Sequence, residues 1–194
     1  RAYKNMDVVA ATDASRVPLI NGLDEMYHPC QALADLMTIK EYSKNFKKTV
    51  VTYMGDGNNV CNSLIIACAK LGVKINVVTP IGYEPSKIAV DLGKKKGVLT
   101  ISHDPKAAWG SDFVYTDTWV SMGQEADSEK RIKDFAGFQV DKKALGNAYF
   151  MHCLPAHRGY EVSNEVIDSE KSIVFDQAEN RMHAQKALLL TLLK

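Results

Sequence analysis

Residues 49–60 read Thr-Val-Val-Thr-Tyr-Met-Gly-Asp-Gly-Asn-Asn-Val, and after a helical run residues 73–80 read Val-Lys-Ile-Asn-Val-Val-Thr-Pro. The fold is decided here. Residues 49–54 are β-branched and apolar without strict alternation, which suits a parallel strand covered on both faces. Gly55 and Gly57 mark a turn, and Asn58 or Asn59 is placed to cap the helix that follows. Val60, Leu64, Ile65, Cys68 and Leu71 recur at helical spacing, and Gly72 stops the helix. Residues 74–79 supply a second strand. Strand, helix and strand in this order form a βαβ unit, which predicts a right-handed crossover and a mostly parallel sheet.

Outward from this unit the alternation continues. The spacing predicts a helix over 84–96, with Ile88, Ala89 and Leu92 toward the sheet. A strand over 98–101, a short helix over 104–109 and a strand over 112–116 follow, the last ending at Asp117. Residues 125–135 are polar and helical in pattern. Gly123 and Gly137 flank that stretch, and residues 118–137 are expected to close over a ligand. A fifth strand is expected over 148–152, a short helix over 162–167, a sixth strand over 172–175 and a closing helix over 179–193. Toward the start, residues 8–11 read as a short strand or a helix end, and 17–22 as a short strand. Pro29 opens a helix over 29–42, with Leu33, Leu36, Met37 and Ile39 on its apolar side. A polar connector over 40–48 leads into the central unit. The expected fold class is α/β: a doubly wound, Rossmann-like, mostly parallel sheet flanked by helices.

The chain has 194 residues, room for one substantial core. Its 24 basic and 23 acidic residues give a net charge of +1, without a nucleic-acid or membrane footprint. No apolar run approaches the roughly 18 residues of a membrane-spanning helix. The cysteines at 30, 61, 68 and 153 lack metal-type C-x-x-C spacing, so reduced thiols in an intracellular compartment are expected. The opening Arg1-Ala2-Tyr3-Lys4 has neither an initiator Met nor an apolar leader, as in an internal or processed segment.

Ligands of open parallel sheets bind beyond the carboxyl ends of the strands. Asp56, Asn59, Asp117, His152, Cys153 and Asp176 all follow expected strands, which suggests a polar crevice. Gly55-x-Gly57 lacks a third glycine, and the second strand ends without an acid for a ribose, so a nicotinamide cofactor is disfavoured. His28 stands before a helix start, where free N–H groups favour an anion; a capping or surface histidine is the alternative. Asp117 suits an amine ligand or a helix cap. Arg181, expected in the first turn of the last helix, opposes the helix dipole there and is a candidate anion contact. Cys153 reads equally as a small core side chain. No Ser-His-Asp order, metal cluster or P-loop is legible.

Four motifs stand out together: His28-Pro29-Cys30-Gln31, Asp117-Thr-Trp-Val-Ser121-Met122-Gly123, His152-Cys153-Leu154-Pro155 and Glu179-Asn180-Arg181. Through them the chain closely resembles the ornithine carbamoyltransferases along essentially its whole length. The Ser-Met-Gly element points to ornithine rather than aspartate as acceptor. The resemblance implies transfer of the carbamoyl group from carbamoyl phosphate to the δ-amine of L-ornithine, giving L-citrulline and phosphate. It implies that His28, Gln31 and Arg181 surround the carbamoyl group. It places Asn59, Asp117, Ser121 and Met122 at the amino-acid end of ornithine, with Cys153 and Leu154 between the substrates. No cofactor and no metal are implied. A homotrimer or higher homo-oligomer is, in the cytoplasm or alternatively the mitochondrial matrix. The chemistry agrees: fixed donors such as His28 and Arg181 suit the oxygen that gains charge on attack, and a carboxylate suits an α-ammonium. The family's Ser-x-Arg-Thr-Arg phosphate motif does not occur in these residues. Residues 1–27 are therefore expected to be the end of a largely absent carbamoyl phosphate domain, and 28–48 a linking helix and connector. Residues 49–177 would be the ornithine-binding domain and 178–194 a returning helix. On that expectation the chain alone is inactive. A different amine acceptor, a non-catalytic ornithine-binding module and a nicotinamide oxidoreductase are the alternatives.

Overall fold

The computed structural model of the protein describes residues 1–120 and 125–193. Five parallel strands form the sheet: β1 (Val50–Met54), β2 (Lys74–Val78), β3 (Leu99–Ser102), β4 (Phe113–Thr116) and β5 (Tyr149–His152). Their order is β3-β2-β1-β4-β5. Val51 on β1 lies between Ile75 on β2 and Phe113 on β4. From β1 the chain passes through α3 (Asn59–Leu71) to β2 on one side, whereas β4 leads to β5 on the other. The winding therefore reverses between β1 and β4, where a doubly wound sheet opens a crevice.

Alternation along each strand divides the interior into two cores. Val51, Tyr53, Ile75, Val77, Phe113, Tyr115 and Met151 point to one face, under α2 (Pro29–Tyr42), α3 and α4 (Lys87–Lys95). Met54, Val78, Val114 and Phe150 point to the other face. They meet Trp119, Phe135, Phe138 and residues of α6 (Lys142–Leu145) and α7 (Asn164–Ile167). Both faces are covered, which is why the strands read as nearly continuous apolar runs. The last helix, α8 (Val174–Leu192), packs along α2. Asn180 donates to Thr38 Oγ1 at 3.0 Å across that contact. No helix among the described residues is long and apolar enough to cross a membrane.

Several local expectations are corrected. The sixth strand over 172–175 does not form. Ser172 makes only an isolated bridge to Phe150, framed by Phe150 N–H to Lys171 O at 2.8 Å and Ile173 N–H to Phe150 O at 3.0 Å. The chain then turns into α8 at Val174. Arg181 consequently lies inside α8 rather than in its first turn, and the dipole argument for it no longer applies. Residues 8–11 belong to α1 (Asn5–Ala14), none of whose residues is buried, and residues 17–22 contain no strand. The helix expected from 84 begins at Lys87, because Ser86 caps it by accepting from Ala89 N–H at 3.4 Å. Leu33 and Ile88 face solvent, at 45% and 62% exposure. Before α4 the chain folds over the turn after β1, where Tyr83 O accepts Gly57 N–H at 2.8 Å. A side chain at Gly57 would come within 2.6 Å of that oxygen, so only glycine fits the approach.

Candidate active site

The crevice between β1 and β4 is built around Asp117, which is 7% exposed just past the end of β4. Asn58 Nδ2 donates to its Oδ2 at 2.7 Å, and Cys153 Sγ donates to its Oδ1 at 3.0 Å. Asn58 is itself fixed as the α3 cap, its Oδ1 accepting from Val60 N–H, Cys61 N–H and Tyr53 Oη. The cap expected at Asn58 or Asn59 is thus Asn58, and because the cap uses only Oδ1 the amide NH2 is left to donate to the carboxylate. Asn59 Nδ2 donates instead to Asp24 O at 2.7 Å, tying α3 to the segment before His28. Burial and the adjacent Asp117 charge push the Cys153 thiol well above its ordinary pKa. Although the residue keeps some surface exposure, its sulfur is a neutral donor and not a thiolate nucleophile.

A second cluster comes from the start of α2 and the middle of α8. Arg181 Nη1 donates to Gln31 Oε1 at 2.6 Å and lies 3.5 Å from His28 Nε2. Its Nε is held by Gln185 Oε1 at 2.8 Å. His28 N–H donates to Ser63 Oγ at 2.6 Å. Burial first, and then the Arg181 charge, bring the His28 imidazole down to about 4, so it is neutral at pH 7. The Asp117 charge opposes that shift, so its carboxylate lies near enough to act on the imidazole. Beneath them Asp35 is fully buried. Its Oδ1 accepts from Gln31 Nε2 at 2.8 Å and Gln177 Nε2 at 2.7 Å. Gln177 Oε1 in turn accepts His152 N–H at 2.9 Å. This amide–carboxylate chain links α2, α8 and the end of β5. Burial raises Asp35 to about 7, and its hydrogen-bond donors only partly offset it.

Cys153 and Leu154 continue directly from β5. Leu154 has φ +57 and its peptide to Pro155 is cis. Asp117, His152 and Cys153 present potential metal-ligand atoms within 4.8 Å of one another. Those atoms are engaged already: the thiol donates to Asp117, and His152 Nδ1 accepts Leu154 N–H at 2.8 Å. Ser121 and Met122 lie outside the described residues.

The structure adds residues that the sequence reading missed. Asp35 and Gln177 support the site through the bonds above. Arg131 in α5 (Ser128–Asp134) is 8% exposed, forms an ion pair with Asp56 and donates Nε to Trp119 O at 2.5 Å. Burial still raises Asp56 to about 6 against the pull of Arg131. An arginine in a polar helical stretch carries no mark of such burial. Its anchor also ties α5 to the turn that follows β1.

A polar crevice at the winding reversal, entered by side chains from two packed helices, is the arrangement of a small-molecule-binding α/β enzyme domain. The chain belongs to the aspartate/ornithine carbamoyltransferase family, whose Asp/Orn binding domain model matches residues 47–192. The family's carbamoyl-P binding domain model matches residues 1–41, which takes in nearly all of α2. A curated relative, the ornithine carbamoyltransferase of Pyrococcus horikoshii, is 51% identical over 203 residues, covering 100% of this chain and 64% of that protein. The solved ornithine carbamoyltransferase from Pyrococcus furiosus superposes with a TM-score of 0.90 at 51% identity, over 96% of this chain and 63% of its own. A mitochondrial ornithine carbamoyltransferase from Coccidioides immitis gives a TM-score of 0.85 at 36% identity, over 97% of this chain and 63% of its own. The chain thus spans a little under two thirds of the length of these relatives.

Proposed function

We propose that the intact protein transfers the carbamoyl group of carbamoyl phosphate to the δ-amine of L-ornithine, giving L-citrulline and phosphate. The observation that carries this reading is the pairing of two clusters. A buried carboxylate, Asp117, faces the Arg181–Gln31–His28 group in a chain half identical to ornithine carbamoyltransferases. Arg181 and neutral His28 are suited to donate to the carbamoyl oxygen as attack places charge on it, and Gln31 fixes the guanidinium. Asp117 is suited to the α-ammonium of ornithine, and Asn58 and Cys153 hold its two oxygens in place. Asn59, Ser121 and Met122 complete the acceptor side, and Leu154 lies between the substrates with Cys153. The step starts from the neutral δ-amine: a bond forms from its nitrogen to the carbamoyl carbon, the carbon–oxygen bond to phosphate breaks, and the proton lost from nitrogen leaves with the phosphate as hydrogen phosphate.

A free α-ammonium favours ornithine over its acetylated form, because acetylation removes the charge that Asp117 would meet. The assay is formation of labelled product from [14C]carbamoyl phosphate with L-ornithine, N-acetylornithine or putrescine as acceptor. Citrulline formation with ornithine preferred at least about tenfold is expected; preference for either analogue would move the protein to another carbamoyltransferase specificity. Ornithine binding without any turnover would make it a binding module. The 194 residues alone are proposed to be inactive, and the intact protein to act as a homotrimer or higher homo-oligomer. We place it in the cytoplasm, with the mitochondrial matrix as the alternative.

A further inference from the structure

His152 belongs to a motif of the chain, and its ring, though within 4.8 Å of Asp117 and Cys153, makes no hydrogen bond to either cluster among the described residues. Its ring lies with Glu161, and both side chains are fully buried. His152 Nδ1 accepts Leu154 N–H at 2.8 Å. An imidazole that accepts at Nδ1 carries its proton on Nε2 when neutral. That Nε2 lies 3.3 Å from Glu161 Oε1, in ion-pair range though off the alignment of a good hydrogen bond. The same Glu161 oxygen accepts His157 N–H from the returning loop, while backbone Val140 N–H to Glu161 O at 2.9 Å holds the residue from behind.

What the ring holds is an unfavourable backbone. Leu154, at φ +57, adopts a left-handed conformation that a side chain with a Cβ resists. Cys153, the residue between, thereby meets Asp117 with its thiol. Burying a carboxylate with one oxygen lacking a partner among the described residues is costly, and such an arrangement persists where the surroundings over-determine it. Hydrophobic packing alone would be served better by an apolar pair.

We infer that His152, oriented by Glu161, is a positioning residue: its Nδ1 lone pair clamps the Leu154 backbone and so sets Cys153 against Asp117. This inference rests on the carbamoyl-transfer reading for its kinetic consequences, though not for its geometry. Asparagine at 152 can keep an acceptor near the Nδ1 position, whereas glutamine reaches only toward the Nε2 position. In the intact protein, His152→Asn is expected to keep kcat within about threefold. His152→Gln is expected to lower kcat by roughly 10- to 100-fold, the scale of an approximately 1 Å misplacement, with carbamoyl phosphate affinity unchanged. Equal kcat values for the two variants, high or low, would overturn the inference. A measurement independent of variant folding is the 15N spectrum of the unsubstituted protein, with the His152 resonances assigned by their loss in His152→Asn or by sequential connectivity. An unprotonated, hydrogen-bonded Nδ1 is expected, and a protonated Nδ1 would overturn the clamp. Should the unsubstituted protein make no citrulline, the proposed function fails and the nitrogen spectrum alone judges the clamp.

Discussion

Replacing Asp117 with asparagine removes one negative charge from the crevice while preserving shape. Asp117 is 7% exposed, so solvent ions screen its interaction with a bound ammonium little. Losing one charge-assisted contact costs roughly 1.5–3 kcal/mol, which is about 10- to 150-fold in affinity. The new amide can accept from Asn58 or from Cys153 but not from both, since its nitrogen then faces a donor. That mismatch costs about 0.5–1.5 kcal/mol of stability, too little to unfold a domain of ordinary stability. Carbamoyl phosphate, an anion proposed to bind at the Arg181 cluster, should lose nothing and gain slightly as a nearby negative charge disappears. Calorimetric titration of the intact protein with each substrate separately, for the parent and Asp117→Asn, measures both affinities. Because Asp117 raises the His28 pKa, the variant should also move His28 below its value of about 4, readable by NMR titration. Equal losses for both substrates, or an unchanged ornithine affinity, would refute the assignment of Asp117 to the acceptor.

Asp35→Asn should stabilise the protein at pH 8 by on the order of 2–4 kcal/mol, at 1.36 kcal/mol per pKa unit, and change little near pH 4. The sign follows from a folded pKa near 7 against an ordinary 3.8: folding takes up a proton, so the burial penalty is relieved as pH falls and is complete above pH 7. Urea unfolding at the two pH values tests this, and a variant less stable at pH 8 would contradict it. Arg131→Met leaves Asp56 buried without its partner and should cost roughly 3–5 kcal/mol; an unfolding midpoint unchanged in urea would show the pair to be unimportant. Hydrogen exchange with both substrates present should slow across Thr118–Val120 and residues 125–130 and leave Phe135–Phe138 unchanged, since Phe135 is fully buried in the core. No ligand-dependent change in the first stretch would remove the closing motion from the picture.

The central unit was legible because its β-branched runs, glycine turns and helical spacing all agree on one local structure. Pro29 likewise marked the first residue of α2. Ser172–Phe175 misled for a physical reason: the segment has strand-like residues, but it meets the sheet edge at one bridge and then turns into α8. That error also misplaced Arg181 by setting the helix start five residues late. At the site, Asp117, Cys153, His28, Gln31 and Arg181 were all visible as residues, and the structure brings them to two adjoining clusters. Their supports were not visible. Asp35, Gln177, Arg131 and Glu161 are polar residues whose burial depends on partners distant in sequence, and no local pattern announces that.

Gln177 and Arg181 sit one helical turn apart on α8, and they do different jobs: Gln177 grips Asp35 and the end of β5, while Arg181 reaches into the crevice. The spacing between them therefore works as a fixed gauge, independent of how α8 begins or ends. An α-helix rotates by about 100° per residue. One inserted or deleted residue between positions 177 and 181 would swing the guanidinium off the crevice even though every residue type survived. The same change beyond Gln185, where α8 is largely exposed, would leave both contacts in register. Length variation in this family's last helix should accordingly be tolerated after that point and forbidden within that single turn.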